Sequence, residues 1–163
     1  MDARQRRIQA DIERVKCLCW QSGRIDMLAW SDTTSLMLIQ YRCKGLTWLP
    51  EHPVPSVICL HQMEINLHLD YPRLPPRLHW LTEIFHPNIL SQKKNGGVCI
   101  GMWTPAETLD QLILRVGEMV QYKSFNTSDA LDLDAAKWAD KNRHRMPVDR
   151  SGLLKSPTGV SIS

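Results

Sequence analysis

The residue of this sequence best placed for nucleophilic chemistry is a cysteine that follows two glycines. Cys99 comes after Gly96-Gly97-Val98, in a segment with the composition of a connecting loop. Glycine tolerates backbone angles and close approaches that other residues resist, which suits a loop that presents one side chain. A thiol in such a place can act as a nucleophile once it loses its proton. The alternative is a small buried thiol that only packs, as many free cysteines do.

The loop that leads to this cysteine begins at His86-Pro87-Asn88. Proline fixes its own backbone and biases the preceding residue toward an extended conformation, so Pro87 makes this start a rigid corner. We expect Asn88 to support the loop, with a purely turn-forming role as the alternative. His86 fits a structural role better than that of a general base. A hydrolase that pairs Cys99 with His86 remains a rival, although the short loop between them makes such a relay difficult to form.

The overall composition bounds the class of protein. A chain of 163 residues can bury one core, and no apolar run is long enough to span a bilayer. The polar N-terminus argues against a secretory signal. Five cysteines without a framework spacing favour reduced thiols and a cytoplasmic location. Zinc binding lacks a ligand set, so we predict no metal site.

The basic excess of the chain is concentrated at its start. Residues 1–24 carry six Lys or Arg against three acids, whereas the whole chain has a formal net charge of only +3. One interpretation is a solvated helix face. The other is a docking surface for an acidic protein partner, centred on Arg6, Arg7 and Arg14. Nucleic acid is a weaker candidate because aromatic residues do not alternate with the basic ones.

The hydrophobic pattern predicts an α+β fold. Apolar residues at helical spacing indicate a helix over residues 3–20, and the runs that follow indicate four strands in an antiparallel meander. We place these strands at residues 25–30, 35–43, 63–70 and 77–82. The strand at 63–70 alternates strictly, with Met63, Ile65, Leu67 and Leu69 on its buried face. Because Ile58 and Leu60 have the opposite parity, we expect a bulge or break near His61-Gln62.

Two helices should follow the cysteine loop. Thr108 and Gln111 have the spacing of a capping box, so we place the start of the first helix there, after a turn of tighter helix. A last helix should begin near Ser128 or Asp129 and bury Leu131, Ala135 and Trp138. We assign residues 1–142 to one domain and residues 143–163 to a polar C-terminal tail.

These motifs, taken in order, resemble those of the ubiquitin-conjugating enzyme family. They are Tyr71-Pro72, Pro75-Pro76, His86-Pro87-Asn88, Cys99, Trp103-Thr104-Pro105 and Thr108-Leu109. The resemblance covers about residues 5–140 in element order and implies a helix, a four-stranded meander, the active-site loop and two helices. Divergence of this size would suit a bacterial ubiquitin-like conjugation system.

The resemblance also implies roles for individual residues. Cys99 matches the family's active cysteine, which accepts a ubiquitin-like protein from an activating enzyme as a thioester and passes it to a lysine. Asn88 matches the asparagine that orders the loop and stabilises the oxyanion, and Asp129 falls near the carboxylate that orients the incoming lysine. Asp129 could equally be a helix cap. The remaining matches are structural: His86, Pro87, Gly97 and Trp103.

The implied partners are a ubiquitin-like protein, an activating enzyme that docks at Arg6, Arg7 and Arg14, and a ligase or substrate protein. No cofactor, nucleic acid or membrane is implied. Three departures from the family pattern remodel the surroundings of the thiol: a longer loop containing Lys93 and Lys94, a shorter segment from Cys99 to Trp103, and Gly101 in place of an acidic residue. The alternative function is a catalytically inactive binding module or scaffold of the same fold.

Overall fold

The computed structural model describes residues 1–155, which form three helices and one antiparallel sheet. In chain order the elements are α1 (Ala3–Ser22), β1 (Ile25–Ser31), β2 (Leu36–Thr47), β3 (Ser56–Asn66), β4 (Arg77–Trp80), α2 (Leu109–Val120) and α3 (Leu133–Lys141). Two single turns of 3-10 helix lie at Gln92–Lys94 and Arg143–Arg145. The strands pair in the order β1-β2-β3-β4, which confirms the predicted meander and the α+β class. No helix among residues 1–155 is long and apolar enough to cross a bilayer.

Local sequence signals fix both ends of α1. The Asp2 carboxylate accepts a hydrogen bond from the Gln5 backbone N–H at 2.7 Å, and the Gln5 side chain accepts one from the Asp2 N–H at 2.9 Å. This reciprocal pair is a capping box, which satisfies amides that the helix itself cannot. Gly23 ends the helix with φ of 67°, a left-handed conformation that glycine adopts without strain. The predicted helix is therefore confirmed and is two residues longer than expected.

The predicted bulge at His61-Gln62 is wrong. β3 runs unbroken through these residues, and the register shift lies instead in β2, between Arg42 and Gly45. Ile58 and Leu60 keep their parity because they lie on the other face of the sheet, where Leu60 is exposed. Apolar residues on that face therefore do not mean that the strand changes sides.

The far end of β3 also differs from the prediction. The strand stops at Asn66, and Leu69, which we placed on the buried face, is 87% exposed. The chain turns here, since the Tyr71 N–H donates to the His68 carbonyl at 3.0 Å. Leu67 is still fully buried, so the alternation holds up to the turn and no further.

The two C-terminal helices begin differently from each other. α2 begins after Thr108 as predicted, with the Gln111 side chain accepting a hydrogen bond from the Thr108 N–H at 3.0 Å. The tighter helix predicted before it is instead a turn, in which the Glu107 N–H donates to the Thr104 carbonyl at 3.0 Å. α3 begins at Leu133, about four residues later than predicted, and the carboxylate of Asp132 caps it by accepting from the Ala135 N–H at 3.0 Å. Ser128 and Asp129 stay outside the helix because their amides are bound by a side chain of the preceding loop.

Of the segment predicted as a polar tail, residues 143–155 are described and pack against the domain, whereas residues 156–163 lie outside the described residues. Leu153 is buried in the main core, and the Val148 N–H donates to the Gln121 carbonyl at 2.9 Å. Asp149 accepts a hydrogen bond from the Lys44 N–H of β2 at 2.8 Å. The packed chain thus continues past residue 142 to Lys155, and the division of the chain at that point stays a prediction.

Candidate active site

Cys99 lies at the side of an open cavity of about 270 Å³. The thiol-bearing residue is half-buried, and its backbone N–H donates to the Asn88 carbonyl at 2.9 Å. The other residues around the cavity come from the segment after the cysteine, from α2 and from the loop before α3: Ile100, Gly101, Arg115, Met119, Ser124, Phe125, Asn126 and Asp129. Asn88 and Asp129, the two residues predicted to act with Cys99, therefore line the same cavity as the cysteine.

A short antiparallel ladder holds Cys99 against Asn88. Ile89 and Val98 form a bridge, and the Leu90 N–H donates to the Gly97 carbonyl at 2.8 Å. The longer loop between the two bridged segments therefore closes on itself and places the cysteine at the end of the ladder.

Of the two glycines before the cysteine, Gly96 is the one that the backbone requires. Its φ is 70°, and a Cβ built on it would lie 2.6 Å from the His79 ring and 2.7 Å from the Trp80 carbonyl. Gly97, which we predicted to support the site, has an ordinary φ and meets nothing closer than the Asn95 side chain at 3.0 Å. The close approach to β4 therefore depends on Gly96.

The Asn88 side chain is fastened to the backbone of the loop before α3. Its Nδ2 donates to the Asn126 carbonyl at 2.9 Å, and its Oδ1 accepts from the Asn126 N–H at 2.8 Å. Asn88 is only 3% exposed. An amide that satisfies both polar groups of one distant residue acts as a clamp, and one Nδ2 hydrogen is left over for other use.

The clamp extends to Asp129 through a residue that the sequence analysis missed. The Asn126 side chain accepts hydrogen bonds from the Ser128 N–H at 2.8 Å and the Asp129 N–H at 3.2 Å. Asn88, Asn126 and Asp129 thus form one chain of contacts that holds the backbone of Asp129, an exposed residue that lines the cavity. Asp129 does not cap a helix, since α3 is capped by Asp132.

His86 is fully buried, and both of its ring nitrogens are occupied. Nδ1 accepts from the Asn88 N–H at 3.0 Å, so Nε2 carries the proton and donates to the Met119 carbonyl at 2.7 Å. Burial lowers the pKa of His86 to about 4, which keeps the ring neutral near pH 7. The ring braces the turn before Asn88 against α2, and it has no free nitrogen with which to act on Cys99.

Pro87 and Trp103 support the site from two sides. The Pro87 carbonyl accepts from the Leu131 N–H at 2.8 Å and the Asp132 N–H at 3.1 Å, which ties the corner of the loop to the start of α3. The indole of Trp103 donates to the Pro72 carbonyl at 3.0 Å and lies 6.0 Å from the Tyr71 ring. Both contacts limit movement of the segments on either side of Cys99.

Arg115 of α2 braces the short segment after the cysteine. Its guanidinium donates to the Ile100 carbonyl and forms a bidentate pair with Glu107, with Nε–Oε2 at 3.1 Å and Nη2–Oε1 at 2.9 Å. Sequence reasoning missed this residue because Arg115 lies sixteen positions beyond Cys99. Its helical position alone does not show that it faces the cavity.

The lysines of the loop are paired with carboxylates. Lys93 Nζ lies 3.4 Å from Glu83, and Lys94 Nζ lies 3.4 Å from Asp132. Each charge is thus partly offset by its partner, so the loop carries less net positive charge than its two lysines alone would give it.

The three arginines predicted to form a docking surface differ in their availability. Arg7 is engaged within the fold: it pairs with Asp11 at 2.7 Å and donates to the carbonyls of Pro105 and Glu107 at 2.5 and 2.6 Å. It therefore links α1 to the turn before α2, and its side chain is 21% exposed. Arg6 is exposed, and Arg14, which lies 3.3 Å from Asp11, remains 46% exposed.

Asp11 is a buried residue that the sequence analysis did not single out. Its carboxylate also accepts from the Tyr71 hydroxyl at 2.5 Å and from the Leu109 N–H at 3.2 Å. It thus joins α1, the proline-rich turn and the first turn of α2, where a negative charge is favoured by the helix dipole.

Comparison with known proteins places this geometry in context. A family model described as ubiquitin-conjugating enzyme matches residues 58–148, more than half of the 163 residues. Ubiquitin-conjugating enzyme E2 16 of Schizosaccharomyces pombe is 34% identical over 79 residues, which are 46% of this chain and 47% of that protein. Ubiquitin-conjugating enzyme E2 S of Drosophila grimshawi is 29% identical over 87 residues, 51% of this chain and 39% of that protein. The chain thus matches half or less of the length of these relatives.

Solved structures agree on the fold. A ubiquitin conjugating enzyme structure from Plasmodium yoelii superposes with a TM-score of 0.63 at 21% identity, covering 91% of this chain and 92% of its own. The E2 domain of a Toxoplasma gondii ubiquitin conjugating enzyme gives a TM-score of 0.59 at 21% identity, and the superposition covers 86% of this chain and 89% of that domain.

Proposed function

Because the chain belongs to the ubiquitin-conjugating enzyme family, we propose that it accepts a ubiquitin-like protein as a thioester on Cys99 and transfers it to an amine. The observation that carries this proposal is the half-buried Cys99 in an open cavity that it shares with Asn88 and Asp129. An acyl carrier needs an accessible thiol, an approach path and polar groups at the reacting carbonyl.

The first step is a thioester exchange. The Cys99 thiolate attacks the carbonyl carbon of a ubiquitin-like protein held on an activating enzyme; a new C–S bond forms and the activating enzyme's cysteine leaves as a thiolate. One thioester replaces another, so the step needs no dedicated base. This agrees with a site in which His86 is buried with both nitrogens occupied.

In the second step an acceptor amine attacks the Cys99 thioester. A C–N bond forms, Cys99 leaves as a thiolate, and the proton of the amine passes to a carboxylate or to water. Asp129, exposed at the cavity and held by Asn126, is positioned to orient the amine. The remaining Nδ2 hydrogen of Asn88 is available to the oxyanion, while the rest of its amide clamps the loop.

The partners that follow from this proposal are an activating enzyme, a ubiquitin-like protein, and a ligase or substrate protein. Arg6 and Arg14 on the exposed side of α1 are the candidates for contact with the activating enzyme.

The direct test is charging with ubiquitin, an activating enzyme and Mg-ATP, read on non-reducing gels and by intact mass. We expect a thiol-sensitive adduct on the wild-type chain, an oxyester that resists thiol on Cys99→Ser, and no adduct on Cys99→Ala. A wild-type chain that stays uncharged, or a Cys99→Ala chain that charges equally well, contradicts the proposal.

A further inference from the structure

A second cavity, of about 530 Å³, lies beside α3 and shares no residue with the Cys99 cavity. Its apolar part is made by three aromatic rings. Trp48, from the end of β2, meets Phe85 edge-on with ring centroids 5.1 Å apart, and Phe85 meets Trp138 of α3 at 5.9 Å. Trp48 is 38% exposed. We call this cavity the Trp48–Trp138 cleft.

The rim of the Trp48–Trp138 cleft is basic. Lys137 and Lys141 are four positions apart on α3, so they lie on one face of the helix, and Trp138 of the same helix lines the cleft with them. Both lysines are exposed, and neither forms an ion pair within residues 1–155. Lys94 adds a third ammonium from the loop before Cys99, although Asp132 offsets it at 3.4 Å.

We propose that the Trp48–Trp138 cleft docks an acidic peptide segment with an apolar anchor residue. Exposed tryptophan in a pocket is a typical anchor point for a partner's apolar side chain. Lys137 and Lys141, which form no ion pair within residues 1–155, favour carboxylates beside that anchor. Nucleic acid fits less well because its backbone carries a charge at every residue and cannot avoid Asp134 in the same cleft, whereas a peptide can place its carboxylates beside the lysines alone.

This inference does not depend on the proposed function, and its test needs no thioester chemistry. The probe is a fluorescein-labelled decapeptide with a central leucine-phenylalanine pair flanked by four glutamates on each side. Binding to the full chain is measured by fluorescence anisotropy. A peptide with lysine in place of glutamate and a labelled ten-nucleotide oligothymidylate are measured in parallel.

The diagnostic variant is Lys137→Glu/Lys141→Glu. Its matched control is Lys16→Glu/Arg77→Glu, which makes the same change in net charge at exposed positions outside the cleft. We expect the cleft variant to weaken binding of the acidic peptide at least tenfold and the control to weaken it less than twofold. Trp48→Ala should also weaken binding at least fivefold. If the charge-reversed protein does not fold, Lys137→Gln/Lys141→Gln replaces it, with a threefold loss expected.

Three results would overturn the proposal. The acidic peptide does not bind the wild-type chain; the cleft variant and the control bind it equally; or the oligothymidylate binds more tightly than the acidic peptide. None of these binding results depends on whether Cys99 can be charged, so a failure of this proposal is distinguishable from a failure of the proposed function.

Discussion

Replacement of Asn88 by alanine tests whether the clamp to Asn126 holds the site together. The change removes two hydrogen bonds of 2.8 and 2.9 Å from a side chain that is 3% exposed. Each such bond contributes about 1 kcal/mol net, and the Asn126 amide and carbonyl left behind lose their partners. We therefore expect a loss of about 2–3 kcal/mol in the free energy of unfolding, or about 5–10 °C in Tm.

Stability is measured by urea unfolding with circular dichroism, and activity by separate assays of charging and of transfer to free lysine. Asn66→Ala is the control, because the Asn66 side chain makes no hydrogen bond within the described part of the chain. If the clamp positions Asp129 as well as Cys99, the Asn88→Ala substitution should slow transfer by a larger factor than it slows charging.

Two results would refute this reasoning. An Asn88→Ala chain as stable as the wild type would mean that the clamp to Asn126 contributes nothing to the fold. If the protein loses stability as expected but charging and transfer slow by the same factor, Asn88 only supports the loop and does not stabilise the oxyanion. Asn126→Ala, which frees the Asp129 amide and leaves the Asn88 clamp intact, then shows whether Asp129 matters to transfer.

Three further predictions follow from single contacts. Burial lowers the pKa of His86 to about 4, below its ordinary value of about 6.5, so the unfolded chain binds the proton first as pH falls. The free energy of unfolding, measured with urea, should therefore drop by about 2 kcal/mol from pH 7 to pH 5, and by less in His86→Gln. Equal drops in the two proteins would count against this assignment. Arg7→Ala should lower the free energy of unfolding by about 2 kcal/mol because three charge-assisted hydrogen bonds are lost, whereas Arg6→Ala, at an exposed position, should lower it by less than about 0.5 kcal/mol. Equal losses would mean that Arg7 does not link α1 to the turn before α2. Gly96→Ala should lower the free energy of unfolding by about 3 kcal/mol and Gly101→Ala by about 1, because both have positive φ but only Gly96 meets other atoms; a reversed order would contradict the assigned close approach.

The order and type of the elements could be predicted because each carries a local signal. The helical spacing before Gly23, the strict alternation of residues 63–67 and the Thr108 capping box are all read within one or two turns of chain. The start of α3 could not be found in this way. Asp129 and Asp132 are both good N-cap residues, and the choice between them is made by Asn126 and by the Pro87 carbonyl.

The candidate site divides along the same line. Cys99 and Asn88 stand in a recognisable motif, so their positions could be predicted. Asn126, Arg115 and Asp11 could not, since each acts through contacts with segments far away in sequence. The basic run near the N-terminus likewise could not show that a buried carboxylate one helical turn away engages Arg7.

The central claim is that one thiol carries the acyl group, and Cys99 has rivals because Cys17 and Cys59 are more exposed than it is. The most direct measurement is peptide mapping by mass spectrometry, under non-reducing conditions at low pH, of the wild-type chain after charging. The claim predicts the C-terminal remnant of ubiquitin on the Cys99 peptide alone, and full charging of a Cys17→Ser/Cys59→Ser chain. A remnant on Cys17 or Cys59, with the Cys99 peptide unmodified, would contradict it.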